Sequence, residues 1–284
     1  MFFISIQNTA KPFVFSHKIF GMIQNHEIDY RIIGEEMQYV EVELDPNETA
    51  VAEPGAFMMM EDGIIMQTIF GDGSNQNNGL LGKLFSAGKR MLVGENLFMT
   101  AYTNVSAGEK HVSFAAPYPG KIIPLDLNRL GNKVICQKDA FLCAAKGVSI
   151  GIEFQRKLGT GLFGGEGFIM EKLEGDGMAF VHACGHVEQK ELQPGELLKI
   201  DTGCIVGFTA TVQYDIQFVG GIKNTLFGGE GVFFATLRGP GTVWIQTLPI
   251  SRLAGRILQY ATFKRKEEGS VLGGLGNLLD GDGW

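Results

Sequence analysis

His182, Cys184 and His186, within His182-Ala-Cys184-Gly-His186-Val-Glu188, are the side chains of this 284-residue sequence best suited to holding a metal. Imidazole and thiolate ligate zinc and iron. On a strand, residues i and i+2 share a face, so His182 and Cys184 could begin such a site. His186 lies roughly 13 Å farther along an extended strand, out of reach of the same ion unless Gly185 bends the chain. A metal on His182 and Cys184 would imply a metal-dependent β-roll enzyme, an oxygenase or an isomerase.

Glu95, Glu166 and Glu230 recur in like surroundings. Glu166 lies in Leu162-Phe-Gly-Gly-Glu-Gly-Phe168 and Glu230 in Leu226-Phe-Gly-Gly-Glu-Gly-Val232, with Glu95 in the looser Leu92-Val-Gly-Glu-Asn-Leu-Phe98. One reading is structural: a carboxylate accepting backbone N–H groups at a tight glycine turn. The other is a ring of acids suited to a cation or a polar partner. A glycosidase needs two carboxyls in unlike environments, whereas equivalent places in a repeat tend towards like ones. Gly159-Thr-Gly161-Leu-Phe-Gly164 spells GxGxxG, but a strand-like Phe168-Ile-Met170 follows where a dinucleotide site needs a helix, so the string reads as a turn. GxxxxGK[ST] and GxSxG are both absent, and five His offer little for a nucleophile–base pair. The sequence assigns no catalytic residue and no cofactor.

The elements that would position these side chains are strands. Apolar and acidic residues alternate through Val40-Glu-Val42-Glu-Leu44-Asp45, and Val212 to Phe218 alternates likewise. Period two predicts strands wet on one face and buried on the other, with Val40, Val42 and Leu44 pointing one way and Tyr214, Ile216 and Phe218 another. Helical periodicity is rare. It predicts one helix from Ser251, with Leu253, Ile257, Leu258 and Ala261 on one stripe, and a shorter one over 80–91.

The chain also repeats itself. The Leu-Phe-Gly-Gly-Glu-Gly string recurs after 64 residues, and Leu173-x-Gly175-x-Gly177 matches Leu237-x-Gly239-x-Gly241. Upstream arms recur too: Glu43-Leu-Asp-Pro-Asn-Glu48 and Glu191-Leu-Gln-Pro-Gly-Glu196, degraded in the middle copy to Leu125-Asp-Leu-Asn128 and Asp139-Ala-Phe141. Three β units follow, over 28–115, 116–186 and 187–250. A short helix and Gly-rich tail occupy 251–284. Residues 1–21 form an extension outside the core, and Met22 is an alternative start to Met1. The repeat counterparts of His182 and Cys184 are Gln246 and Leu248, which are not ligands.

Composition fits a turn-rich β protein: 45% hydrophobic residues, 40 Gly and 21 Phe. A net charge of −7 disfavours nucleic acid and anionic lipid as partners. Four Cys without a CxxC pair, and no visible secretory signal, predict reduced thiols in a cytoplasm. No apolar run reaches the length of a membrane span.

The Pro-Gly-Glu arm, Glu53-Pro-Gly-Ala56, the stretch before Gly94-Glu95 and the repeated Gly-Gly-Glu-Gly, in this order from Glu27 to Leu248, resemble the altered-inheritance-of-mitochondria type, or mitochondrial biogenesis, proteins of unknown function. The resemblance implies an all-β fold: three tandem β-sandwich or β-roll repeats about a pseudo-threefold axis, like the tryptophan RNA-binding attenuation protein. Fold likeness alone says little about function. The middle arm departs from the family pattern, which would break any site made of three equivalent arms.

The expected function is a non-enzymatic, oligomeric β scaffold or binding module. It assembles with itself as a trimer or a multiple of three, and meets an unidentified protein or membrane partner. The metal enzyme on His182 and Cys184 is one alternative. The other is a membrane-surface organiser using the Gly/Leu tail. The run Phe57-Met58-Met59-Met60 reads either as core or as docking surface.

Overall fold

The computed structural model describes residues 27–70, 98–156, 168–219, 232–258 and 260. They are all-β, with nineteen strands in antiparallel sheets. The strands in chain order are β1 (Asp29–Ile33), β2 (Tyr39–Leu44), β3 (Thr49–Ala52), β4 (Phe57–Met60), β5 (Ile64–Phe70), β6 (Phe98–Asn104) and β7 (Lys110–Ala115). Then come β8 (Gly120–Asp126), β9 (Lys133–Gln137), β10 (Phe141–Ala145), β11 (Ser149–Arg156), β12 (Phe168–Glu174) and β13 (Met178–Cys184). The last are β14 (Val187–Leu192), β15 (Leu197–Asp201), β16 (Ile205–Thr209), β17 (Gln213–Val219), β18 (Val232–Arg238) and β19 (Gly241–Gln246). Single 3-10 turns, Lys138–Ala140 and Thr202–Cys204, precede β10 and β16.

Four sheets form. The first runs β1-β2-β7-β4, the second β5-β6-β3-β10-β13-β8, the third β11-β12-β9-β16-β19-β14 and the fourth β15-β18-β17. They stack in that order, because each apolar cluster draws on two neighbouring sheets. Val40, Val42, Leu44 and Phe114 of the first sheet meet Tyr102, Leu142 and Phe180 of the second. Val51, Ala144 and Val181 on the second sheet's other face meet Val134, Leu173 and Trp244 of the third. Met170, Phe208 and Val243 then meet Ile216, Ala235 and Leu237 of the fourth.

Stacking explains the two kinds of strand in the sequence. In β2, Val40, Val42 and Leu44 are fully buried and the residues between them only partly, as alternation predicts for an outer layer. In β3 (TAVA) and β10 (FLCAA) every residue is buried, because both faces of the second sheet are covered. Small residues there let three layers approach. In the outer fourth sheet, Ile216 is buried and Tyr214 partly so.

The recurring arms are turns. The Glu48 carboxylate accepts the Asp45 N–H at 2.9 Å, and Glu196 accepts the Gln193 N–H at 2.8 Å. Asn47 and Gly195 follow the prolines with φ of 72° and 80°, the left-handed backbone of a Pro-led turn. The middle arm closes differently: Asp126 accepts the Arg129 N–H at 3.2 Å. The arm acids Glu48 and Glu196 are thus occupied by their own turns, and at 126–129, where no Pro-Gly-Glu stands, an aspartate clamps the turn instead.

Two expectations need adjusting, and several others fall outside the described residues. The helix begins at 250, so Ser251 lies in its first turn, where the Pro249 carbonyl accepts from Arg252 and Leu253. Of its stripe, Leu253 is half-buried while Ile257 and Leu258 are exposed. Phe57 to Met60 is not core, with all four side chains exposed on β4. The extension 1–21, the helix over 80–91, the GxGxxG string and the tail after 260 lie outside the described residues.

Candidate functional site: an acid-lined cleft at a strand junction

β3 and β10 join the two halves of the second sheet, with Ala52 opposite Cys143 and the Glu53 N–H donating to the Leu142 carbonyl at 3.1 Å. Immediately beyond, Glu53-Pro-Gly-Ala56 turns. Gly55 has φ of 95° and the Ala56 N–H donates back to the Glu53 carbonyl at 3.3 Å. Pro then Gly at the two central places is what such a turn requires. The turn leaves Glu53 beside the 3-10 turn that carries Lys138 and Asp139. A cleft of about 310 Å³ opens there, lined by Glu53, Phe98, Lys138, Asp139, Phe141 and Glu171 among others.

The cleft holds two carboxyls under strain of solvation. Burial first, then the nearby Asp139, pushes Glu53 up to about 7, and Lys138 partly offsets this. Burial likewise raises Glu171 to about 7; Lys138 counters it, while Glu53 and Asp139 add to it. Two carboxyls largely removed from water beside one ammonium cannot both ionise cheaply. Such a group titrates near neutrality, so the cleft can exchange a proton or accept a small cationic ligand.

Tyr118 extends the cluster inward. Its hydroxyl donates to the Asp139 carbonyl at 3.4 Å, and burial, Asp139, Cys184 and Glu53 all hold its proton on more tightly than usual. Its ring meets that of His182 edge-on, with centroids 4.8 Å apart.

His182 and Cys184 do share a face of β13, that of Phe180, which packs towards the first sheet. Both are buried. Burial pushes His182 down to about 4, so its ring is neutral, and its Nδ1 has no hydrogen-bond partner among the described residues. The Cys184 N–H donates to the Gln246 side chain at 2.9 Å, and Gln246 in turn donates to the Gly203 carbonyl. Gln246, 64 residues after His182, is therefore a bridge within the fold. Among the described residues, no group of three or more His, Cys, Asp or Glu is placed to hold a metal ion. All four Cys are free. Glu95, Glu166 and Glu230 lie outside the described residues.

The sequence offered one signal for the cleft that motif reading passes over. In Phe168-Ile-Met-Glu-Lys-Leu173, Glu171 falls in phase with Leu173, on the buried face of an alternating strand. Glu53 carried no such mark, because only the fold brings the turn after β3 against β12 and the 3-10 turn.

Comparison with known proteins agrees with this architecture. The crystal structure of a Streptococcus pyogenes protein superposes with a TM-score of 0.64 at 24% identity, covering 82% of this chain and 100% of that one. That likeness concerns the fold. An uncharacterised protein of Streptococcus pyogenes serotype M6 is 30% identical over 234 residues, spanning 80% of this chain and 89% of the relative. The family model for mitochondrial biogenesis AIM24 matches residues 30–248. The chain belongs to the AIM24 mitochondrial biogenesis family.

Proposed function

We propose that this chain is a non-enzymatic β scaffold that assembles with copies of itself and carries a small binding cleft at an internal junction. The scaffold is three like units of six strands, β2–β7, β8–β13 and β14–β19, in the manner of the tryptophan RNA-binding attenuation protein fold. One observation carries the reading: a single pairing scheme recurs. In each unit the first strand pairs with the sixth and the sixth with the third, while the fifth joins the second and fourth. Each third–sixth pair slips at the same place, between Phe57 and Met59, Phe141 and Cys143, and Ile205 and Gly207. Bulges are placed features, so their coincidence favours duplication over chance.

A scaffold of this kind works in numbers. Light scattering on the full chain at micromolar concentration is expected to give a multiple of 30.9 kDa, with the trimer preferred. A monodisperse monomer would overturn the scaffold reading. The cleft favours a small cationic ligand over an anion, because its carboxyls outnumber its one lysine. The metal-enzyme alternative has less support, since His182 is buried with its ring against that of Tyr118. A cytoplasmic setting suits the four free thiols. No helix among the described residues is long and apolar enough to cross a membrane, and the tail on which a membrane-surface role would rest lies outside them.

A further inference from the structure

The three units leave one pairing unmade. Within the chain, the second strand of one unit joins the third strand of the next: β3 with β10, and β9 with β16. Each join fuses two half-sheets into one of six strands, first-sixth-third from one unit and second-fifth-fourth from the one before. The third strand of the first unit, β4, and the second strand of the last, β15, have no such partner among the described residues. Among the described residues, β4 pairs only with β7, and β15 only with β18. Their sheets remain half-sheets, the first of four strands (with β1 added outside β2) and the fourth of three.

The two bare edges lie at opposite ends of the stack. The first sheet packs on the second and the fourth on the third. Sheets stack at about 10 Å, so roughly 30 Å of layers separates the two ends. β4 is short and slips between Phe57 and Met59, and β15 carries Lys199, but neither edge is covered by another described strand, and both expose apolar side chains. Phe57, Met58, Met59 and Met60 are all exposed on β4, between 38% and 47%, and Leu197 on β15 is 52% exposed. An apolar strand edge in this state is a template for another strand.

We propose that β15 of one copy adds to β4 of a second copy, completing the missing six-strand sheet between molecules. This rests on the three-unit reading, which also sets the register. Ala52 faces Cys143 and Val51 faces Ala144 at the first join; Cys136 faces Gly207 and Ile135 faces Phe208 at the second. The bulges align Met59 with Cys143 and Gly207, and the 64-residue repeat aligns Ile200 with Cys136. Ile200 therefore stands opposite Met59, and Lys199 opposite Met60. The partner is a second copy of this chain because the two edges complete each other: one supplies first-sixth-third and the other second-fifth-fourth. Repeated head to tail, the contact leaves no inner edge bare, and where the rotation between copies closes it makes a ring.

The test is a register-specific cross-link. Residues directly opposite in an antiparallel pair have Cβ atoms about 4.5–5.5 Å apart, close enough for mild oxidation to trap two cysteines. Met60→Cys and Lys199→Cys chains, co-expressed, are expected to give a disulfide-linked pair of chains as the main oxidised product. Met60→Cys with Leu198→Cys, a slip of one residue that flips the face, is expected to give at least fivefold less. Met58→Asp is expected to weaken assembly at least tenfold while leaving the melting curve of the separated chain cooperative. An oligomer by light scattering that shows neither cross-link nor sensitivity to Met58→Asp would overturn this interface and leave the scaffold reading standing. A Met60→Cys/Lys199→Cys chain that cross-links within itself would also overturn it. A monomer in every arm would remove both.

Discussion

Gly120→Ala is expected to destabilise the chain by at least about 3 kcal/mol, as a fall in denaturant midpoint at unchanged slope. Gly120 opens β8 opposite Cys184 at the end of β13. A Cβ there would run into the Ala183 carbonyl oxygen and stand 2.8 Å from its carbon and 2.9 Å from the Cys184 Cα. These are backbone atoms, so a rotamer change cannot relieve the clash, and the strand pair must part. The surrounding hydrogen bonds oppose that. The Gly120 N–H donates to the Glu36 carbonyl at 2.7 Å and the Gly185 N–H to the Pro119 carbonyl at 3.1 Å. Gly108→Ala is the control: its Cβ would meet nothing within 4 Å, so its effect should stay within about 0.5 kcal/mol. Equal effects at the two positions would contradict the close strand approach.

Glu171→Gln is expected to make the chain more stable above pH 7 and to leave it unchanged below about pH 4.5. The Glu171 carboxyl titrates near 7 in the folded chain against an ordinary value of 4.5. Between those values the unfolded chain gives up the proton while the folded chain keeps it. The folded state then binds more protons, so stability falls as pH rises through that window and is flat above it. Glutamine is neutral throughout and escapes the loss. The full shift corresponds to about 3 kcal/mol; sharing of charge with Glu53 and Lys138 brings the expected gain at pH 8 to about 2 kcal/mol. Thermal melts of both chains at pH 4.5 and pH 8 measure it, as a rise of about 4–8 °C at the higher pH only. A gain of the same size at both would show that the side chain's shape, not its charge, matters.

Much of the fold was legible because sheets impose period two on the sequence. β2 shows it without fault, and its burial follows residue by residue. The doubly buried strands were harder. Thr49-Ala-Val-Ala52 and Phe141-Leu-Cys-Ala-Ala145 have no alternation to read, since both faces meet a layer. Phe57 to Met60 was ambiguous for the same reason. A run of apolar residues looks alike in a core and at an edge waiting for a partner, and only the pairing distinguishes them. The arms were visible as motifs, but not their job, because Glu48 and Glu196 bond within four residues of themselves. The cleft was hidden more deeply. Its acids come from one strand and two separate turns, with more than a hundred residues between Glu53 and Glu171, and nothing local ties them together.

Hydrogen exchange along the chain tests the central claim most directly, that three like units build every sheet from two consecutive units, the last across a molecular boundary. At micromolar concentration the amides of β4 and β15 are expected to be protected to the same degree as those of β9 and β16, their counterparts at an internal join. On dilution β4 and β15 should lose that protection together, while β9 and β16 keep theirs. Rapid exchange of β4 and β15 at every concentration, with β9 and β16 protected, would contradict the account.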